Sequence, residues 1–187
     1  CEAQFGHVER NCFDRDKSDI AKFEVCSHKW TDLSEHSMGI SLLSDCKYGV
    51  SCRGGRMGIT LHKSGTHPDP RGDLGEFFFR YAIYPHKSAL GMDTVKRAYA
   101  FNYAPVATSR KDLNAPFELC TDGSVVLETV KYGEDGGIVL RFYEAMGSTS
   151  SALLKASGRE IVQCNILEDE VALMGFEKAE ITFSPFE

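Results

Sequence analysis

Three groups of residues carry side chains that could do chemistry. Asp69, Asp73 and Glu76 are the densest run of carboxylates, set in His67-Pro68-Asp69-Pro70-Arg71-Gly72-Asp73-Leu74-Gly75-Glu76. Two carboxyls held close together can divide acid–base and nucleophilic work, and a looser cluster can hold calcium. The prolines and glycines between these three make turn capping their default role. Asp45, Lys47 and Tyr48 gather a carboxylate, an ammonium and a phenol into four residues at the end of an apolar run. Packing does not require them there, so they are candidates for contacting a polar ligand or a partner surface. The plain alternative is a surface ion pair of little energetic weight. The third group is the six histidines, His7, His28, His36, His62, His67 and His86. None stands in His-Glu-x-x-His. His62 and His67 are separated by a strand end and a turn, and Cys26 and His28 lack a second pair, so no metal-ligand set is predicted. Trp30 is the only tryptophan. Such a ring can stack on a sugar or fill a core, and the core is the default.

The elements that must position these residues read as short strands. Met57, Ile59 and Leu61 alternate with Arg56, Gly58, Thr60 and His62, the period of a half-buried strand. Arg53-Gly54-Gly55 before it fits a tight hairpin, because glycine reaches positive φ freely. Ile40 to Leu43 is a second apolar run. Phe77 to Tyr84 carries bulk on both faces, which predicts a central strand covered on two sides. The stretch from 67 to 73 cannot be strand, since its prolines lack donors. Upstream, the alternation of 20–28 predicts a strand. Downstream, Gly91-Met92-Asp93 opens the one helical segment, with Asp93 expected as N-cap and Val95, Ala98, Tyr99 and Asn102 on one face. Residues 104–116 read as a linker. Strands are then expected at 117–121, 124–132, 137–145, 151–156, 159–167 and 179–186. Asp122-Gly123, 133–137, Gly147-Ser148 and Ser157-Gly158 are the turns between them. The whole predicts an all-β chain of antiparallel sandwiches.

Composition narrows the partners. The chain has 187 residues and a net charge of -6, which argues against nucleic acid and anionic membranes, both of which need a basic footprint. No apolar run nears the roughly 20 residues of a membrane-spanning helix. Seven scattered cysteines without Cys-x-x-Cys read as free thiols in a reducing, cytoplasmic setting. The opening on Cys1 and the ending at SPFE lead us to expect a fragment of a longer protein.

SLLSDCKYG, GITLHKSGTHPDPRGDLGE and FRYAIYPH come in an order that resembles the C-terminal β region of the class II α-mannosidases, glycoside hydrolase family 38. FEVCSHKWTDLSE, VVLETVKYGED, VLRFYEAMGS and ITFSPFE extend the resemblance over nearly the whole chain and are most similar to the cytosolic and bacterial branch. The resemblance implies a portion of a galactose-mutarotase-like supersandwich over 1–105 and a smaller terminal β-sandwich over 115–187. It implies that the whole enzyme hydrolyses terminal α-mannosyl residues of oligosaccharides and glycoconjugates, with zinc and with retention through a glycosyl-aspartate. The zinc ligands and the nucleophile belong to upstream motifs with no match here, so no catalytic or metal residue is carried over. The implied partners are the chain's own N-terminal catalytic barrel and mannose-containing glycans, and the implied location is cytoplasmic. Asp45, Lys47, Tyr48 and Trp30 are the candidate substrate contacts. Two functions stand side by side: a non-catalytic β-domain that packs on and completes the barrel, and a carbohydrate-binding module that takes mannosides by itself. An independent enzyme lacks a convincing set of catalytic groups.

Overall fold

The computed structural model describes residues 1–109, 114–121, 123–134 and 136–187. Part of the expected 104–116 linker, at 110–113, and Asp122 and Asp135 of two expected turns lie outside the described residues. The chain divides into two compact units, Cys1–Pro105 and Val106–Glu187. Strands dominate both and every pairing is antiparallel. The chain is all-β, as expected.

The first unit opens with a small hairpin of β1 (Glu2–Ala3) and β2 (Gly6–His7). Helix α1 (Lys17–Ala21) follows, then β3 (Val25–Cys26), β4 (Trp30–Ser34), β5 (Met38–Ser44), β6 (Gly49–Arg53), β7 (Arg56–Ile59), β8 (Tyr81–Lys87) and helix α2 (Met92–Asn102). One sheet has the order β4-β5-β8 and the other β3-β6-β7. The 53–56 hairpin forms as expected. Arg53 pairs with Arg56, and Gly54 and Gly55 take φ of 56° and 73°.

Three expectations fail here. The 20–28 strand is cut short by α1, where the Asp16 carboxylate accepts the Asp19 amide at 2.9 Å and caps the helix start, so only Val25–Cys26 pairs. Local capping outcompeted the weak alternation. The aromatic run does not form a central strand. Residues 77–80 lie outside any strand, and β8 starts at Tyr81 as the edge of its sheet, with Tyr81 and Ile83 exposed. The central strand is β5. Finally, Gly91 rather than Asp93 is the N-cap of α2, without a side-chain bond, and Asp93 sits in the first turn.

β5 holds the centre because one face is small. Gly39 and Ser41 are buried there. A Cβ on Gly39 would lie 2.3 Å from His86 Cε1 and 2.5 Å from Ser34 Cβ, so the His86 ring occupies the space a side chain would need. The His86 Nε2 is 2.6 Å from the Asp32 Oδ2, which also accepts from Ser41 Oγ at 2.7 Å. Ser41 Oγ is 2.8 Å from Thr94 Oγ1. This chain of four polar side chains joins β4, β5, β8 and α2, and each buried polar group within it has a partner.

The second unit contains β9 (Glu118–Thr121), β10 (Val125–Tyr132), β11 (Ile138–Glu144), β12 (Ser150–Cys164) and β13 (Glu170–Phe183). β10 and β11 pair with each other, and the second sheet has the order β13-β12-β9. Leu154, Ala156, Ile161 and Ala179 of the second sheet pack with Leu140 and Phe142 of the first. Val125, Ala152 and Phe183 extend the same core. The unit is therefore a two-layer sandwich with its apolar side chains between the sheets.

The expected turn at Ser157-Gly158 is a bulge. β12 runs on through it, the register shifts between Lys155 and Glu160, and Gly158 at φ 69° donates its amide to the Glu177 Oε1 at 2.8 Å. Glycine and serine in mid-strand marked a kink rather than an end. Residues 170–178, left out of the strand expected at 179–186, pair with β12 for the same reason.

Candidate functional site

The turn 45–48 joins β5 to β6 and carries three of the four candidate substrate contacts. It is fixed from two sides. Asn102 of α2 donates to the Ser44 carbonyl at 3.2 Å and to Ala98 O at 2.9 Å, which holds the end of β5 against the helix. Ser44 Oγ then accepts the Lys47 amide at 3.0 Å and closes the turn.

Asp45 does not face free solvent chemistry. Its Oδ1 accepts the Arg80 backbone amide at 2.9 Å and its Oδ2 the Arg80 Nε at 3.1 Å, while its own amide donates to Arg80 O at 3.3 Å. The bond from the Arg80 backbone, supported by the guanidinium, holds this carboxyl below the usual range. A carboxylate so engaged is a poor proton carrier near neutral pH. Arg80 is itself committed, donating to Phe101 O at 3.2 Å with its guanidinium 5.1 Å from the Phe101 ring. Cys46 beside it is pushed up, first by its hydrogen bond to the Asp45 carboxylate.

Lys47 Nζ lies 5.2 Å from the Phe79 ring and 5.7 Å from the Phe77 ring, so the ammonium is held by aromatic faces rather than by a carboxylate. Tyr48 is half exposed and stands edge-on to His28 at 5.2 Å. The turn thus presents one ammonium and one phenol over an aromatic surface, with its only carboxylate occupied. That arrangement can hydrogen-bond a polar group, but it contains no pair of carboxyls able to share a glycosidic proton.

Trp30 lies elsewhere. It is 2 % exposed, pairs across the sheet with Leu43 and meets His7 at 6.0 Å between ring centroids. A buried ring has no face to offer a sugar, so its part in a stacking platform is corrected to packing.

Asp69 takes the turn role. Its Oδ1 accepts the Arg71 amide at 2.9 Å, and its carbonyl accepts the Gly72 amide at 3.2 Å. Ser64 Oγ ties this loop to Gly72 O at 3.0 Å. Asp69, Asp73 and Glu76 are all exposed. Leu74 and Phe78 in the same loop are 77 % and 91 % exposed. Among the described residues no three His, Cys, Asp or Glu side chains come together to hold a metal ion.

Two polar centres were missed in the sequence. Arg80 falls in the run expected to be a strand covered on two sides, and its partner lies 35 positions away. Glu144 is 0 % exposed and receives the amides of Met146, Gly147, Ser148 and Phe186 at 2.7–3.1 Å. A glutamate just ahead of the Gly147-Ser148 turn was the available signal. This second centre fastens the end of β11 to the chain's last residues and is structural.

Comparison with known proteins adds the following. Residues 1–71 match the glycosyl hydrolases family 38 C-terminal domain, and residues 124–187 match the glycosyl hydrolases family 38 C-terminal beta sandwich domain. An alpha-mannosidase of Saccharomyces cerevisiae is 40% identical over 83% of this chain and 16% of its own length. Alpha-mannosidase G of Dictyostelium discoideum is 37% identical over 90% of this chain and 17% of its own. Human alpha-mannosidase 2C1 is 37% identical over 100% of this chain and 19% of its own. The chain therefore spans less than a fifth of the length of these curated relatives. A crystal structure of a glycosyl hydrolase family 38 protein from Enterococcus faecalis has a TM-score of 0.68 over 88% of this chain and 22% of that one, at 16% identity, a likeness of fold.

Proposed function

This chain belongs to the C-terminal region of glycosyl hydrolase family 38, and from that premise we propose that it is the non-catalytic β-domain of an α-mannosidase. It packs on the enzyme's catalytic barrel and completes it. The observation that carries this reading is the loop between β7 and β8. Its Leu74, Phe77 and Phe78 are all exposed, although Asp45, Lys47 and Arg80 hold its C-terminal end in place. Large apolar side chains left exposed together in one loop suit a face that another body covers. The burial of Trp30 weighs against the alternative, a free-standing mannoside-binding module.

In this reading the whole enzyme cleaves terminal α-mannosyl residues of oligosaccharides and glycoconjugates with retention. Retention needs two carboxyls about 5 Å apart, and the residues of the 45–48 turn do not supply them. No described cluster fits a zinc ion. The reading assigns zinc and both carboxyls to the rest of the enzyme and routes no chemical step through this chain. Lys47 and Tyr48 remain available to touch the barrel or the sugar from the side. We assign the enzyme to the cytoplasm, a setting in which seven free thiols persist.

The test is to assay this chain alone against an aryl α-mannoside with zinc or cobalt added, and to titrate it with mannose. The expected result is neither turnover nor saturable binding. Turnover that survives removal of contaminating enzyme would overturn the accessory role. Saturable mannose binding without turnover would establish the binding module in its place.

A further inference from the structure

β6 carries Cys52 near its end, and the segment ahead of α1 lays Cys12 against it. The two sulfurs are 3.4 Å apart, although 40 positions separate the residues in sequence. A disulfide spans about 2.05 Å, so roughly 1.4 Å of approach would join them. Other contacts hold the two backbones together independently of the thiols. Gly54 N donates to Cys12 O at 3.3 Å, Arg53 pairs with Asp14 at 3.2 Å, and the same guanidinium donates to Ile20 O at 2.9 Å. A cleft of about 380 Å³ runs beside this seam, lined by Arg10, Asn11, Asp19, Lys22 and Cys52, among others. Asn11, next to Cys12 in the chain, and Cys52 both line it, so small polar molecules can reach the seam.

We propose that Cys12 and Cys52 are a reversible oxidation site that closes to an intrachain disulfide on reaction with a peroxide. The Cys12 thiolate attacks one peroxide oxygen and the O–O bond breaks. With hydrogen peroxide the departing hydroxide takes a proton and leaves as water, and Cys12 is a sulfenic acid. Cys52 then gives up its proton and attacks the Cys12 sulfur. The S–O bond breaks, a second water leaves, and the S–S bond is made. Two thiols are oxidised by two electrons, and one peroxide is reduced to two waters.

The order of attack follows from the surroundings. Burial, and then the hydrogen bond its S–H makes to Cys12, push the Cys52 thiol up to about 11. Cys52 therefore stays protonated at neutral pH, which suits it to resolve the sulfenic acid rather than to start the reaction. The bond encloses α1, β3, β4 and β5 within one covalent loop and pins one wall of the cleft to β6. A dithiol reductant reopens it.

The experiment treats the folded chain, and the full-length enzyme that contains it, with a stoichiometric amount of hydrogen peroxide. Remaining thiols are then capped with N-ethylmaleimide, and the protein is digested without reductant. The expected product is a linked Cys12–Cys52 peptide, with the other five cysteines mostly capped. It should be absent in C12S and in C52S and absent from a urea-unfolded control. The oxidised chain should melt several degrees higher and return to its starting midpoint with dithiothreitol. If Cys52→Ser alone fails to fold, C12S, which changes only the surface segment, carries the comparison. The proposal is overturned if Cys12 and Cys52 are both recovered capped while other cysteines oxidise. It is equally overturned if they link no more often in the folded chain than in urea.

Discussion

Replacing Glu144 by glutamine should destabilise the second unit strongly, and by an amount that depends on pH in a defined direction. The Oε2 of Glu144 accepts from Gly147 N at 2.7 Å, Ser148 N at 3.0 Å and Phe186 N at 3.1 Å, and Oε1 from Met146 N at 2.9 Å and Ser148 Oγ at 3.2 Å. Burial alone would raise this carboxyl. The bonds from Met146, Phe186, Ser124 and Ser148 together outweigh burial and lower it from 4.5 to about 2. A pKa lower in the folded than in the unfolded state gives stability that is full above the unfolded value and lost as pH falls through the folded one. Lowering the carboxyl from 4.5 to about 2 corresponds to about 3.4 kcal/mol at pH 7, falling to about 1.4 kcal/mol at pH 3. Glutamine keeps one accepting oxygen and turns an N–H₂ toward amides that need an acceptor, so at pH 7 the loss should be on the order of 3 kcal/mol. Urea unfolding of wild type and E144Q at pH 7 and pH 3 measures both values. A loss below about 1 kcal/mol at pH 7, or an equal loss at both pH values, would refute the reasoning.

Three further substitutions probe the frame. Gly147→Ala should cost about 1–2 kcal/mol, because φ is 75° and the new Cβ would sit 2.8 Å from the Phe186 ring, and a thermal melt reads it. Trp30→Ala should cost about 3–5 kcal/mol by urea unfolding, as for a core aromatic. A stable W30A chain would mean that the ring is not packing the first unit. Thr94→Val should cost about 1 kcal/mol in the same assay, since Ser41 keeps its bond to Asp32 while losing the one to Thr94.

The sequence was most readable where a residue type has one structural use. Gly54 and Gly55 had to make the hairpin, because few other residues accept φ of 56° and 73°. The shared face of Val95 and Ala98 gave α2, since the period of 3.6 had no rival there. Where two causes produce the same pattern, the reading failed. Bulk on both faces of 77–84 can mean a buried strand or a surface awaiting cover, and alternation is silent on which. Ser157-Gly158 can end a strand or bend one, and pairing with 170–178, far along the chain, decided it. The candidate turn was found because a charged Asp-x-Lys-Tyr had no packing reason. Its true partners, Arg80 and the Phe77 and Phe79 rings, could not be found, because contact across a long loop leaves no local trace.

Among the described residues β13 stands at the end of its sheet, so one side of this 14-residue strand carries peptide groups that no described strand occupies. Such a margin is a template on which foreign strands can add, and the exposed Leu173 and Phe176, with Ile166 at the hairpin tip 87 % exposed, would reward them. The same strand carries the defence. Glu170, Glu177, Lys178 and Glu180 place charge along it, and the register shifts opposite Gly175 and Leu173 break its flatness. The irregularities of β12 and β13 thus favour colloidal solubility: charge and broken flatness make the open margin of the sheet a poor template for fibril growth.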